Sequence, residues 1–355
     1  MNKYSLILFL AFSASCFAQP NLLNAKIPAD IGKKTPEQIK LDNLTPLKYG
    51  YLDDRDVLFG KKIWEFVDID ERLNFPLYYP IKPLLDRISL FDVLKEYVDT
   101  STDIDKFCFQ DEYFSEKLDP TQMKGKFNYV KLTEDGEKNV NSNFNPNKID
   151  MNSDRESFMV LVLKLIDDKK ITEGVDYKTA TLNASNIVGY KIQGYWYFDA
   201  RLSEMKYRLL AIAPVAVSAS NVVEATFSEN NIEAKYEARK QGGVLSDADL
   251  KSKQEEINAL EKTREPDALF WVYYPAIREV LKKHPAFNER NSAKPISFDD
   301  LLVAHRFHGM IYKEENTLSD REITKYISDN ALGQLLESDR VKEKIRDLEH
   351  DMWTY

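Results

Sequence analysis

Between Tyr190 and Ala213 the hydrophobic period of the chain changes from helical to alternating, and this stretch constrains the fold more than any other. Tyr195, Trp196, Tyr197 and Phe198 are strand-favouring residues, and Asp199 to Glu204 forms a polar turn. Beyond it, Tyr207, Leu209 and Ala211 fall on one face, and Arg208, Leu210 and Ile212 on the other. The pattern predicts an antiparallel hairpin whose second strand is mostly buried and ends at Pro214. Neighbours on a strand point oppositely, so the four aromatics from Tyr195 to Phe198 need cover on both faces. That cover is either the chain's own core or a partner.

The flanking sequence is helical in period, which gives an α+β class: a helical framework packed around an antiparallel β-hairpin or sheet. Asp54 or Asp56 is expected to cap a helix carrying Val57, Phe59, Ile63, Trp64 and Val67, ending near Asn74 ahead of Pro76. Phe75 to Ile81 then reads as an extended, proline-bounded segment. Four serine-led capping boxes begin at Ser89, Ser153, Ser297 and Ser319. The first precedes Phe91, Leu94 and Val98. The second precedes Phe158, Leu161, Val162, Leu165 and Ile166 at helical spacing. Leu132 to Met151 is polar and asparagine-rich and reads as a loop or insertion.

Residues 228–265 are rich in Glu, Lys, Ala and Gln and are broken by Gly242-Gly243. They read as a charged helical or disordered insertion outside the core. Helices are expected to resume at Asp267. The last runs through Ile323, Tyr326, Ile327, Leu335, Val341, Ile345 and Leu348 to Met352, Trp353 and Tyr355. A faint echo joins the two ends: Trp64, Tyr78-Tyr79-Pro80 and Ser89 recur in order as Trp271, Tyr273-Tyr274-Pro275 and Ser297. The organisation that follows is a signal peptide over 1–18, an extended N-terminal arm over 19–48 and a first α+β part over 49–227. The insertion over 228–265 and a C-terminal helical part over 266–355 complete it.

The first residues have the layout of an export signal. Lys3 gives the positive start, Leu6 to Phe12 an apolar run too short to span a bilayer, and Cys16-Phe17-Ala18 the small-x-small site for cleavage between Ala18 and Gln19. A lipoprotein signal is the competing reading, with Cys16 lipidated, but Ser13 stands where a branched apolar residue is usual. Export leaves Cys108 as the one cysteine, so no internal disulfide forms, and a chain this long buries enough surface without one. Cys108 reads as a core residue between Phe107 and Phe109. The arm is either flexible or laid onto a partner: Pro28, Pro36 and Pro46 favour extended backbone, and Leu22, Leu23, Ile27, Ile31, Ile39 and Leu41 are spaced so that each could enter a separate pocket.

The formal charge of −9 becomes −10 once Lys3 is removed, which argues against nucleic acid as a partner. With 12 glycines in 355 residues, phosphate-cradling loops have little material. No nucleophile elbow, zinc-binding H-E-x-x-H or Walker loop is present. His305 and His308, at i and i+3, would share a helix face and begin a metal site, with His284 or His350 as a third ligand. The acidic runs Asp53-Asp54-Arg55-Asp56 and Asp68-Ile69-Asp70-Glu71 lack the calcium-loop glycine and read as caps and solvated ends. What stands out is aromatic density with no reactive group beside it. Trp196, Trp271, Trp353 and Tyr355 are therefore candidate interface residues. A metal-assisted enzyme using His305 and His308, and a carbohydrate-binding module stacking sugars on Trp196 and Trp271, are the alternatives.

Several longer runs carry a resemblance. Leu52-Asp53-Asp54-Arg55-Asp56-Val57-Leu58 and Glu71-Arg72-Leu73-Asn74-Phe75-Pro76-Leu77-Tyr78-Tyr79-Pro80 are two of them. Trp196-Tyr197-Phe198-Asp199, Phe270-Trp271-Val272-Tyr273-Tyr274-Pro275 and Phe287-Asn288-Glu289-Arg290-Asn291-Ser292 are three more. With Tyr312-Lys313-Glu314-Glu315-Asn316 and Asp351-Met352-Trp353, they resemble the GldN/PorN family of Bacteroidetes gliding-motility and type IX secretion proteins. The resemblance implies a periplasmic protein beneath the outer membrane, in a ring with a GldK/PorK-type lipoprotein. It also implies contact with a GldM/PorM-type inner-membrane motor protein. It brings no catalytic residue, cofactor or metal, in keeping with the empty search for catalytic motifs.

The export signal makes a direct prediction. N-terminal mass analysis of the exported protein is expected to find Gln19 first and no lipid, whereas an acylated Cys16 would refute simple cleavage.

Overall fold

The computed structural model describes residues 45–84, 87–101, 106–118, 123, 126–145, 155–239, 247–288, 296–328 and 330–353. The signal peptide, most of the arm, Ser153, Asp154 and Tyr355 lie outside these residues. In chain order the first elements are β1 (Val57–Asp68), α1 (Phe75–Tyr78), α2 (Leu90–Thr100), β2 (Cys108–Phe109), β3 (Asn128–Leu132), α3 (Glu134–Asn139) and α4 (Arg155–Asp167). Then come β4 (Tyr177–Thr181), β5 (Gly189–Asp199), β6 (Glu204–Ala216), α5 (Ala219–Arg239), α6 (Asp247–Thr263) and β7 (Asp267–Ala268). Last are β8 (Trp271–Tyr273), α7 (Tyr274–Lys283), β9 (Pro285–Ala286), β10 (Ile296–Ser297), α8 (Phe298–Val303), β11 (Met310–Glu314), α9 (Ile323–Tyr326) and α10 (Ala331–Trp353). The mixture is α+β, as its periodicities predict. The chain divides into two compact units: residues 1–118, 183–215 and 270–355, and residues 119–182 and 216–269.

The first unit is built on an antiparallel sheet in the order β11-β1-β5-β6-β8-β2. The predicted hairpin is its centre, with Asp199 opposite Glu204 across the turn. Leu210 is the extra residue of a bulge, because Gln193 faces Ala211 while Gly194 faces Leu209. That bulge breaks the simple alternation expected from Lys206 to Ala213. Pro214 does not end the strand: it sits within β6 opposite Tyr190.

The expected helix over Val57–Val67 is instead strand β1. Its i, i+3, i+4 spacing is shared by a strand buried on both faces, as Ile63, Trp64 and Glu65 are in succession. Three residues of Asp53-Asp54-Arg55-Asp56 form a 3₁₀ turn, capped by Asp53 with Asp56 answering. Phe75 to Ile81 is not extended throughout. Its first four residues are α1, since Pro76 at the helix start lacks only an N–H that would have no partner there.

Ser89 caps α2 by accepting from the Asp92 amide at 3.1 Å, and Phe91, Leu94 and Val98 are buried behind it. Ser297 does the same for α8 through Asp300. The fourth box fails. Ser319 and Asp320 hold left-handed backbone at φ 58° and 51°, and α9 starts after Glu322 with no side-chain cap. Helices resume at Tyr274, not Asp267, because Trp271–Tyr273 pairs with β6 and β2. The final helical stretch is two helices. The longer, α10, places Val341 and Ile345 against Ile63 and Ile311. It also covers the outer edge of β11: buried Ser338 accepts from the Ile311 amide at 2.9 Å, and Lys342 Nζ donates to the Gly309 carbonyl at 2.8 Å. The internal echo is partial in space. Trp64 and Trp271 are both strand residues and both serines cap helices, but Tyr78-Tyr79-Pro80 ends a helix where Tyr274-Pro275 begins one.

The second unit pairs β3 with β4 and lays α5 on them. Leu132, Val140, Phe158, Val162, Leu165, Ile171 and Tyr177 form its core, so α4 follows the predicted helical spacing. Within the stretch expected as a loop from Leu132, Glu134–Asn139 and Val140–Phe144 are helical. Thr133 caps α3, and Gly136 lies so close to Asp176 that a Cβ would come within 1.8 Å of its carbonyl oxygen. Residues 228–239 and 247–263 of the charged insertion are helical. They are not wholly outside the core: Tyr236 is buried and donates to Glu256 of α6 at 3.1 Å.

Asp176 ties this unit together. It accepts from Asn139 Nδ2 at 3.0 Å and from the Thr172 amide at 2.8 Å. These bonds, Asn139's first, hold its carboxyl below the usual range against the opposing pull of burial. Its folded pKa thus lies under the unfolded value of about 3.9. The stability it adds is present above that value and is lost as pH falls through the folded one. Asp176→Ala is expected to cost about 1–3 kcal/mol at pH 7 and to flatten the acid limb of unfolding followed by circular dichroism.

Candidate interaction surface

The run Glu71 to Pro80 builds a fixed base with an apolar top. Asn74 is fully buried. Its Nδ2 donates to the carbonyls of Asp68 at 2.7 Å and His308 at 2.9 Å, and its Oδ1 accepts from the His308 amide at 2.8 Å. Leu77 is buried on the same side, and the Tyr190 hydroxyl reaches its carbonyl at 3.5 Å. Turned outward are Leu73, Phe75 and Tyr79, with 59%, 38% and 44% of their surface exposed. Ile81 and Leu84 continue the exposed run. Tyr79 meets Phe75 edge-on at 5.4 Å and Tyr78 at 4.9 Å, so the rings hold one another in place. Exposed aromatics on a rigid support lose little entropy when a partner covers them.

Beside this surface, the two histidines do not share a helix face. α8 ends at Val303, and His305 is the left-handed residue after its cap, with φ 49°. The Arg306 amide bonds back to the Leu301 carbonyl at 3.0 Å, which closes the helix in a Schellman turn. His305 Nε2 then faces Glu65 at 3.3 Å, and His308 Nδ1 faces Glu71 at 2.6 Å. Each imidazole has its own carboxylate. Among the described residues no three His, Cys, Asp or Glu side chains are placed to hold a metal ion.

The candidate aromatics scatter. Trp196 is half-buried, its ring 5.1 Å from Tyr207 and 6.1 Å from His305. Trp271 is 3% exposed in β8, a core position with no face for a sugar or a partner. The Trp353 side chain, Tyr355, Ala18 and Gln19 lie outside what is described. Cys108 is buried as expected, and burial pushes its thiol up to about 12, so it stays protonated and unreactive.

Sequence reasoning missed a buried polar network in the first unit. Tyr274, Arg278 and Lys282 stand four residues apart on α7 and all face α8. Arg278 makes a two-pronged bond to Asp299 at 2.9 and 3.1 Å, the Tyr274 hydroxyl donates to Asp299 at 2.6 Å, and Lys282 grips Asp300 at 2.7 Å. The ring of Tyr49 lies between two guanidiniums, 4.2 Å from Arg278 and 4.5 Å from Arg208. The spacing of 274, 278 and 282 was a readable signal, but only the fold shows that it faces inward. Lys313, also buried, is matched by Glu112 and Tyr113 and lies 4.6 Å over Trp64. Arg278, Asp299 and Lys313 are buried and paired, whereas the Tyr49 hydroxyl and Arg208 Nε are buried with no hydrogen-bond partner among the described residues.

The profile of the family described as gliding motility associated protein GldN matches residues 52–354, and the chain belongs to that family, which is associated with gliding motility and type IX secretion. No curated protein matches the chain. No described helix is long and apolar enough to cross a membrane.

Asn74 is the residue on which the knob depends. Asn74→Ala leaves the His308 amide unpaired and is expected to cost about 1–3 kcal/mol in denaturant unfolding. It should also speed amide exchange across residues 72–79. Unchanged exchange there would show that the knob is held by packing alone.

Proposed function

We propose that this chain is a non-catalytic scaffold subunit of a periplasmic ring in the type IX secretion and gliding machinery. Its partners are a GldK/PorK-type outer-membrane lipoprotein, a GldM/PorM-type inner-membrane motor protein and further copies of itself. The lipoprotein partner holds it to the inner face of the outer membrane. The family match over residues 52–354 carries this reading. The rigid knob at Leu73, Phe75 and Tyr79 supports it, because exposed aromatics of this kind suit protein contacts. The acidic balance of −9 disfavours nucleic acid as a partner.

The double variant Phe75→Ser, Tyr79→Ser tests the reading. Both side chains are exposed, so the unfolding midpoint of the isolated protein should stay within about 2 °C. Co-purification with the lipoprotein partner should fall about tenfold or more, the loss expected when a contact worth at least ~1.4 kcal/mol disappears. Retained co-purification and normal secretion would remove the knob from the interface.

A further inference from the structure

We propose that residues 38–43 of a second copy add a strand to the open edge of β1 at Leu58–Lys61, a step that rests on the reading of the chain as a self-assembling subunit. β5 pairs with β1 from Val57 to Asp68, apart from a bulge at Leu58. On the other side β11 covers only Ile63 to Phe66. One further contact extends that side: the Glu315 amide donates to the Lys62 carbonyl at 3.0 Å, and Glu315 Oε2 accepts from the Lys62 amide at 3.0 Å. Both backbone groups of Lys62 therefore face the β11 side. In an antiparallel ladder the direction repeats every second residue, so the N–H and C=O of Gly60 face that side too. No described residue pairs with β1 there before Lys62.

Apart from the bulge at Leu58, this edge has little protection. Leu58 is 59% exposed and Gly60 is exposed. Among the described residues no proline, inward charge or covering helix blunts the run Val57-Leu58-Phe59-Gly60. The nearby Lys61 and Lys62 are held by Glu314 and Glu315 at 2.6 and 3.6 Å. By contrast, the outer edge of β11 is closed by Ser338 and Lys342. One sheet thus has its edge sealed at one end and left open at the other.

The occupant follows from the sequence and from where the leader enters. Gln38-Ile39-Lys40-Leu41-Asp42-Asn43 alternates apolar and polar residues between Pro36 and Pro46, the pattern of a short strand. Its own copy is badly placed to use it. Tyr49 is fixed between Arg208 of β6 and Arg278 of α7, and Arg201 in the β5–β6 turn donates to the Tyr51 carbonyl at 2.6 Å. These anchors lie beyond β5, on the opposite side of β1 from the open edge. The leader of one copy therefore joins the described fold on the far side of β1 from its own edge, which favours a strand added from another copy.

The test follows amide exchange at Gly60 in the exported protein. Wild-type protein at self-associating concentration should show exchange at Gly60 slowed about tenfold or more relative to dilute protein. A Lys40→Pro, Leu41→Pro chain loses ladder donors in the leader but leaves β1 untouched. It should show no such slowing alone, and should regain it when isotopically labelled and mixed with unlabelled wild type. Protection in that acceptor places the strand between copies. Self-association with unchanged Gly60 exchange overturns the edge proposal and leaves the scaffold reading standing. Slowing that is independent of concentration also overturns it, since the edge is then filled within one copy. Absence of self-association, alone and with envelope partners, overturns both.

Discussion

The first unit depends on β1 being covered on both faces and, along its second half, on both edges. Ile63, Trp64 and Glu65 are buried in succession, which an amphipathic strand with one wet face would not allow. Ile63 joins Ile311, Val341 and Ile345, so β1 links the sheet to the last helix. On the opposite face Trp64 receives Tyr113 at 6.1 Å and the Lys313 ammonium at 4.6 Å. Glu65 reaches His305, and the strand runs on to Asp68, whose carbonyl holds Asn74. The knob at Phe75 and Tyr79 is thus an extension of the central strand.

Burying Arg278, Asp299, Lys313 and Glu65 is costly unless each charge is matched. An ion pair taken from water repays its desolvation only with good geometry and further hydrogen bonds. Arg278 and Asp299 meet that condition, with two parallel bonds and a third from Tyr274. Lys313 meets it with one carboxylate, one phenol and two aromatic faces. A swap to apolar residues of equal volume would hold the helices together about as well. What the polar version adds is a single register for α7 on α8, since Tyr274, Arg278 and Lys282 have partners in only one alignment.

Local chemistry was legible in the sequence where it is self-contained. Ser89 and Ser297 cap the helices predicted behind them, because a serine oxygen and an amide three residues on need no tertiary help. The hairpin turn from Asp199 to Glu204 and the α4 spacing were legible for the same reason. β1 was not, since Ile63, Trp64 and Val67 satisfy helical spacing as well as that of a doubly buried strand. Only the partners β5 and β11, brought from more than 100 residues away, decide between them. Ser319 has the letters of a cap, yet left-handed backbone at Ser319 and Asp320 turns the chain instead. There Asp320 accepts from the Asn316 amide at 2.9 Å. The knob was visible as a motif and as a family resemblance. That Asn74 and Leu77 would be its root, and Leu73, Phe75 and Tyr79 its surface, could not be read from spacing in so short a helix.

The attachment of residues 49–51 bears on how the first unit would carry load. Tyr49 lies against Arg278 and Arg208, and the Tyr51 carbonyl accepts from Arg201. Arg201 also grips Asp56 at 3.0 Å and Asp199 at 3.4 Å, and Lys206 joins Asp199 at 3.2 Å. Force on Tyr49 and Tyr51 would pass to the β5–β6 turn and to α7, then along strands joined by 11 residue pairs. Load shared across a long antiparallel ladder meets many hydrogen bonds together, whereas load on a frayed end meets them singly. Holding Tyr49 and Tyr51 beside the hairpin turn, next to a ladder of 11 pairs, gives that first arrangement.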